Sequence, residues 1–182
     1  MDLKKLIKEA LAKKARKYEY GCVMVDLNVD KKQWADMQSK IDDDDLYQAD
    51  DNGGYGKEMT PHITILFGVH GDVEDKEVED RIKEIHQPEV EIGKVSSFEN
   101  KLFDVLKFDI NSPELHELNK LFKELPHTSD YPDYHPHITI CYLKKGKLDK
   151  YLKMFKDIEL SDAKLGTVRY SKPDGSEKKY TS

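Results

Sequence analysis

The chain holds only two cysteines in 182 residues, Cys22 and Cys141, and both sit inside apolar runs. That scarcity excludes a disulfide framework and fits reduced, buried thiols in a cytosolic protein. Long apolar runs are missing too. Lysines interrupt the N-terminal segment every few residues, so neither a signal peptide nor a membrane span is expected, and the expected location is the cytoplasm. There is no basic excess either, since the formal net charge is -6. Long nucleic acid needs an extended cationic track against its phosphates, so it is disfavoured as a partner. A small nucleotide needs only a few donors in one cleft. His135 and His137 share a strand face and could begin a metal site, but such a site needs three or four ligands. No third stands at suitable spacing, so no metal or other cofactor is expected. Nothing in the pattern specifies an oligomeric state.

What is present is 37% apolar residues gathered into periodic runs, against 36% charged. Leu3, Leu6, Ile7, Ala10 and Leu11 fall on one helical stripe with a lysine-rich opposite face. This reads as a basic amphipathic helix over residues 1–19, ahead of a single domain over 20–182. A β-branched run from Tyr20 to Val29 predicts a strand. Asp30 then caps a helix through Gln33, Trp34 and Met37 to about Ile41. Residues 42–60 carry Asp42 to Asp45 and several glycines with no apolar period, which predicts a mobile, solvated loop. A strand from His62 to Val69 and a charged helix from about Glu74 to His86 follow. Two strands, near Val90 to Phe98 and Leu102 to Ile110, flank a turn at Glu99-Asn100-Lys101. Ser112 caps a helix with Pro113 at its first position, running to Leu125. A strand from His135 to Leu143, a helix over about Leu148 to Ile158 and a hairpin turning at Pro173-Asp174-Gly175 complete the chain.

That order repeats itself. Val25 to Ile41 resembles Lys107 to Leu125, and Pro61-His62-Ile63-Thr64-Ile65 returns as Pro136-His137-Ile138-Thr139-Ile140. Each copy leads into a turn, a helix and a hairpin. Two halves built alike imply two lobes related by a pseudo-dyad, with equivalent residues facing each other across the junction.

Side chains alternate between the faces of a strand, so each histidine shares a face with the threonine two residues on. The isoleucines then anchor the core, and His62, Thr64, His137 and Thr139 line one cleft. An imidazole titrates near neutrality and can give or take a proton there. In-line attack on a phosphodiester needs a base on the entering oxygen and an acid on the leaving one, and one histidine per lobe supplies both. Threonine hydroxyls can donate to the non-bridging oxygens. A lone His-x-Thr is common by chance, whereas two copies in matching settings are not.

With these residues the chain resembles the 2H phosphoesterase superfamily, the LigT-like group, named for two His-x-Ser/Thr-x motifs with apolar x. The likeness covers about residues 20–182. Around Asp130-Tyr131-Pro132-Asp133-Tyr134-His135-Pro136-His137 it is similar to bacteriophage members and to the anti-CBASS group, which cleaves cyclic oligonucleotide immune signals. The resemblance implies an α+β, bilobal fold: two pseudo-symmetric lobes of antiparallel sheet, helices outside and a central cleft. It implies a hydrolase for small RNA-like phosphodiesters. Both motifs are intact.

Fainter signals concern recognition. Tyr20 at a strand entry and Tyr134 beside the second motif are candidates for stacking on a base, and Arg169 for holding phosphate. By alternation Cys141 continues the face of His137 and Thr139, where it could close the end of the cleft, although burial is the favoured reading. His70, His86, His116 and His127 lack any partner pattern. Three functions remain in play. The leading one is destruction of a cyclic oligonucleotide signal; the others are RNA end processing at 2′,3′-cyclic or 2′–5′ linkages, and a nucleotide-binding sponge without turnover.

Overall fold

Asp30 and Ser112 each end a strand and start a helix by the same chemistry. The Asp30 carboxylate accepts from the Gln33 N–H at 2.8 Å, and the Ser112 hydroxyl accepts from the Leu115 N–H at 3.3 Å. Each satisfies a donor that the first helical turn leaves open. The structure is a computed structural model describing residues 18–48, 55–83, 89–160 and 163–180. Residues 1–17 of the expected N-terminal helix over 1–19, the glycines Gly53 and Gly54, and the expected helix beyond Lys83 lie outside the described residues.

Seven strands are described: β1 Gly21–Asn28, β2 His62–Val69, β3 Glu91–Glu99, β4 Phe103–Asn111, β5 His137–Lys144, β6 Lys164–Ser171 and β7 Glu177–Tyr180. The helices are α1 Lys31–Ser39, α2 Asp75–Lys83, α3 Pro113–Phe122 and α4 Leu148–Phe155. The strands form one open antiparallel sheet in the order β3-β4-β5-β2-β1-β6-β7. Its halves, β3-β4-β5 and β2-β1-β6-β7, are the two expected lobes. They join at β2 and β5, where Ile63 pairs with Ile138. Ile63, Ile65, Ile138 and Ile140 are at most 2% exposed and belong to one core with Trp34, Met37, Leu115, Phe122, Tyr151 and Phe155 of the helices. Burial of each such side chain contributes about 1.5–3 kcal/mol. Among the described residues no helix is long and apolar enough to cross a membrane.

Both motif strands carry a bulge at the same place. Beside β2, Met24 faces Thr64 and Val23 faces Leu66, so Ile65 is left over. Beside β5, Lys107 faces Thr139 and Leu106 faces Cys141, so Ile140 is left over. An extra residue re-aims every side chain after it. Leu66 and Cys141 therefore enter the core, at 3% and 0% exposure, while Phe67 stands 48% exposed. Cys141 thus does not close the cleft, because the bulge turns it away. Burial pushes the thiols of Cys141 and Cys22 up to about 12, and both are free cysteines.

The stretch after α1 departs from a mobile, solvated loop in its described parts. Asp43–Asp45 forms a 3-10 turn, and Asp45 is buried. Its carboxylate accepts from Lys147 and Lys150 at 2.8 Å and from the Tyr151 hydroxyl at 2.8 Å. These partners hold it far below the usual carboxylate range. Further on, Leu46 bridges Leu143 and Lys57 bridges Cys141, so this segment borders β5.

Gly68 on β2 has φ 95°, and a Cβ there would lie 1.7 Å from the Thr128 carbonyl oxygen. Gly146 has φ 83° with nothing within 4 Å of its added Cβ. Gly68→Ala is therefore expected to cost at least about 2 kcal/mol in urea denaturation. Gly146→Ala, with strain but no clash, is expected to cost about 1 kcal/mol.

Candidate active site

Antiparallel pairing about Ile63 and Ile138 places His62 across from Thr139, and Thr64 across from His137. The four residues thus form a quadrilateral on the open face, with the histidines on one diagonal. In a regular ladder such a diagonal pair lies about 7–8 Å apart, which leaves room for a phosphate between the rings. The four residues expected to line one cleft are thus brought together.

Each ring is oriented by the same local contact. His62 Nδ1–H donates to the Thr60 carbonyl at 2.9 Å, and His137 Nδ1–H donates to the His135 carbonyl at 2.7 Å. A carbonyl only accepts, so Nδ1 carries the proton and Nε2 carries the lone pair in the neutral ring. A proline follows each of these carbonyl residues and precedes the histidine, which helps keep the chain extended there.

Neighbouring strands add a second symmetric layer. Asp26 of β1 is the register partner of His62, and Asp109 of β4 is the register partner of His137. Each aspartate holds a cation: Arg169 Nε donates to Asp26, and Lys107 Nζ donates to Asp109. Ser96 joins the second pair, accepting from Lys107 at 2.7 Å and donating to Asp109 at 2.8 Å. These contacts hold the Asp109 carboxyl below its usual range against the opposing effect of burial. Neither aspartate was signalled by the two His-x-Thr motifs. The signal lay in a second repeat, Asp26-Leu27-Asn28 against Asp109-Ile110-Asn111.

The surroundings of the two histidines differ. Glu58 brings a carboxylate oxygen to 3.9 Å from His62 Nδ1. His137 instead meets the Phe98 ring edge-on at 4.9 Å, with the Lys107 ammonium 4.2 Å above that same ring. Burial is the main cause holding the His137 imidazole below its usual value, and Lys107 and His62 push the same way. The His135 carbonyl and Asp109 oppose them. Burial pushes the Tyr142 hydroxyl and the Cys22 thiol up, and the neighbouring Thr139 and Thr64 respectively act in the opposite sense.

The recognition candidates are placed otherwise than expected. Tyr20 stacks on His70 at 6.0 Å, beside the Gly21–Val69 end of the β1–β2 ladder. That end is roughly 20 Å along the strands from His62. Tyr134 is partly buried; its hydroxyl donates to the Thr64 carbonyl at 2.9 Å and its ring packs on His116 at 5.4 Å. It ties the lead-in of the second motif to the strand of the first. Arg169 is engaged by Asp26 and by Glu177, at 3.2 Å from the latter. Its guanidinium organises the aspartate beside His62. Among the described residues, no group of three or more His, Cys, Asp or Glu is placed to hold a metal ion.

A family model described as "Anti-CBASS protein Acb1" matches residues 62–169. No curated protein matches the chain in sequence. Among solved structures, Usb1 of Kluyveromyces marxianus with uridine monophosphate is similar, with a TM-score of 0.50 at 12% identity. The match covers 90% of this chain and 98% of that one. It supports a 2H phosphoesterase-type fold.

The environment of His137 predicts opposite responses to two substitutions. Lys107→Met removes a positive neighbour, so the His137 pKa rises. Asp109→Asn removes the carboxylate that favours the imidazolium, so it falls. Histidine titrations by NMR check both directions.

Proposed function

The chain belongs to the anti-CBASS Acb1 family, and from that premise we propose that it is a metal-independent phosphodiesterase for small nucleotide signals, cyclic oligonucleotides foremost. One observation carries this reading: two imidazoles on one sheet diagonal, each with Nδ1 tied to a carbonyl and Nε2 left to exchange a proton.

In the proposed reaction a phosphodiester sits between the rings. One Nε2 takes the proton of the attacking oxygen, which is water or a ribose 2′-hydroxyl. The P–O bond to the leaving oxygen breaks, and the other imidazolium delivers its proton to that oxygen. His137 suits the base role, since burial and Lys107 favour its neutral form. His62, with the Glu58 carboxylate beside it, takes the acid role. Thr64 and Thr139 donate to the non-bridging oxygens as charge accumulates there. The proton traffic is closed by these side chains, so the scheme calls for no cofactor.

A small substrate fits the charge of the molecule better than long RNA, since the net charge is -6. RNA end processing uses the same chemistry at a 2′,3′-cyclic phosphate or a 2′–5′ linkage, and a binding sponge would leave every diester intact.

An assay with EDTA and a panel of 2′,3′-cyclic mononucleotides, 2′–5′ oligoadenylate and cyclic di- and trinucleotides separates these readings. Turnover of the cyclic oligonucleotides is expected. Turnover confined to the cyclic mononucleotides or the 2′–5′ oligomer would assign RNA end processing, and tight binding without product would assign the sponge. His62→Ala and His137→Ala are each expected to lower kcat on the order of 10²- to 10⁴-fold with cooperative unfolding preserved. A base must be deprotonated to act, so kcat/KM falls as pH drops through the His137 pKa, which lies below the ordinary 6.5. In Lys107→Met that acid limb moves to higher pH.

A further inference from the structure

Two buried side-chain amides make the same long-range contact on opposite halves of the sheet. Gln38 lies on α1, which follows β1, yet its Nε2 donates to the Ile140 carbonyl of β5 at 2.9 Å. Asn119 lies on α3, which follows β4, yet its Nδ2 donates to the Ile65 carbonyl of β2 at 2.7 Å. Each amide thus reaches from one half to the motif strand of the other. Their targets are equivalent, since Ile65 and Ile140 each stand three residues after a histidine.

Those isoleucines are the residues that the two bulges leave out of register with β1 and β4. A bulged residue is unpaired in its ladder, so its carbonyl is served from elsewhere: Asn119 donates to Ile65, and Gln38 shares the Ile140 carbonyl with a backbone N–H. Only the NH2 end of an amide can serve a carbonyl, which settles how both side chains are oriented. Gln38 Nε2 also donates to the Glu58 carbonyl at 2.9 Å, and the Glu58 N–H donates to the Ile140 carbonyl at 2.9 Å. The amide therefore clamps the lead-in of the first motif to the strand of the second.

We propose that Gln38 and Asn119 are positioning residues of the active site, each holding open the bulge in the motif strand of the opposite half. The bulge decides which side chains follow the threonine on the open face. With it, Tyr142 lies beside Thr139 and Cys141 is core; strict alternation would exchange them. Releasing Gln38 frees β5 to return to strict alternation, moving Tyr142 away from Thr139 and Cys141 toward the open face. Asn119 performs the same service for Leu66 and Phe67 on β2. The catalytic part of this inference rests on the phosphodiesterase reading; the structural part stands without it.

The test uses the full chain with Gln38→Met and Asn119→Leu. Peptide-resolved alkylation by iodoacetamide is measured alongside kcat and KM on whichever diester the wild type cleaves. Gln38→Met is expected to speed alkylation of Cys141 by about tenfold or more relative to Cys22, because the thiol leaves the core. Asn119→Leu, acting on the other strand, leaves the Cys141 rate near wild type. Both variants lower kcat on the order of 10²-fold, because the strand carrying each His-x-Thr pair loses an anchor one residue beyond its threonine, with KM nearly unchanged. General unfolding would instead expose both thiols in both variants, and that result overturns the inference. So does a folded Gln38→Met with wild-type Cys141 labelling, or wild-type kcat in either variant. Should Gln38→Met melt below the assay temperature, Gln38→Asn, whose amide is one methylene short of the carbonyl, replaces it. If the wild type cleaves no diester, the functional reading fails, and the labelling result alone decides the bulge clamp.

Discussion

Ile63 and Ile138 pair across the middle of the sheet, and the candidate site depends on that one register. Side chains of period two then put both histidines and both threonines on the far face, each histidine opposite the other motif's threonine. A slip by one residue would bury the imidazoles and expose the isoleucines. The register is defended by burial, since both isoleucines are fully enclosed. It is defended again by Tyr134, which ties the loop before the second motif to the Thr64 carbonyl. Packing on one face of the sheet and chemistry on the other are thus two readings of one alignment.

The pseudo-dyad that this pairing generates is obeyed by backbone and broken by electrostatics. Asp26 with Arg169 and Asp109 with Lys107 occupy equivalent places beside the two histidines. Yet Glu58 approaches His62, while Phe98 and the Lys107 ammonium surround His137. The proposed acid–base pair draws on this inequality, because its base must start neutral and its acid protonated. A duplicated scaffold supplies two equivalent imidazoles, and non-equivalent neighbours differentiate them.

Much of this was legible in the chain. The caps at Asp30 and Ser112, the strand starting at His62 and the hairpin at Pro173-Asp174-Gly175 follow from local chemistry, which neighbours in sequence decide. The repeated Pro-His-Ile-Thr-Ile anticipated the two halves, and alternation anticipated the shared face. What escaped were features created by distant partners. Asp45 reads as one more charge in a solvated run until Lys147 and Lys150 arrive from α4 and the turn before it. Burial is the favoured reading of Cys141, but strict alternation puts it on the histidine face, and only the bulge at Ile140 explains how it turns inward. Arg169 reads as a phosphate donor until Asp26 and Glu177 engage it, and Tyr20 lies at the wrong end of its strand for a residue serving His62. Asp26 and Asp109 were visible only as a faint second repeat, because a carboxylate earns its meaning from the strand beside it.

The proposed chemistry requires both rings to hold one phosphorus-centred group at once. Orthovanadate with a uridine nucleoside forms a pentacoordinate mimic of the transferring phosphoryl group. The direct measurement is a titration with that mimic, followed through the imidazole Nε2 resonances of His62 and His137 in a ¹⁵N-labelled sample. The prediction is that both resonances shift together, with one midpoint and one equivalent bound. A shift at one histidine alone, or at neither while the mimic binds elsewhere, would contradict it.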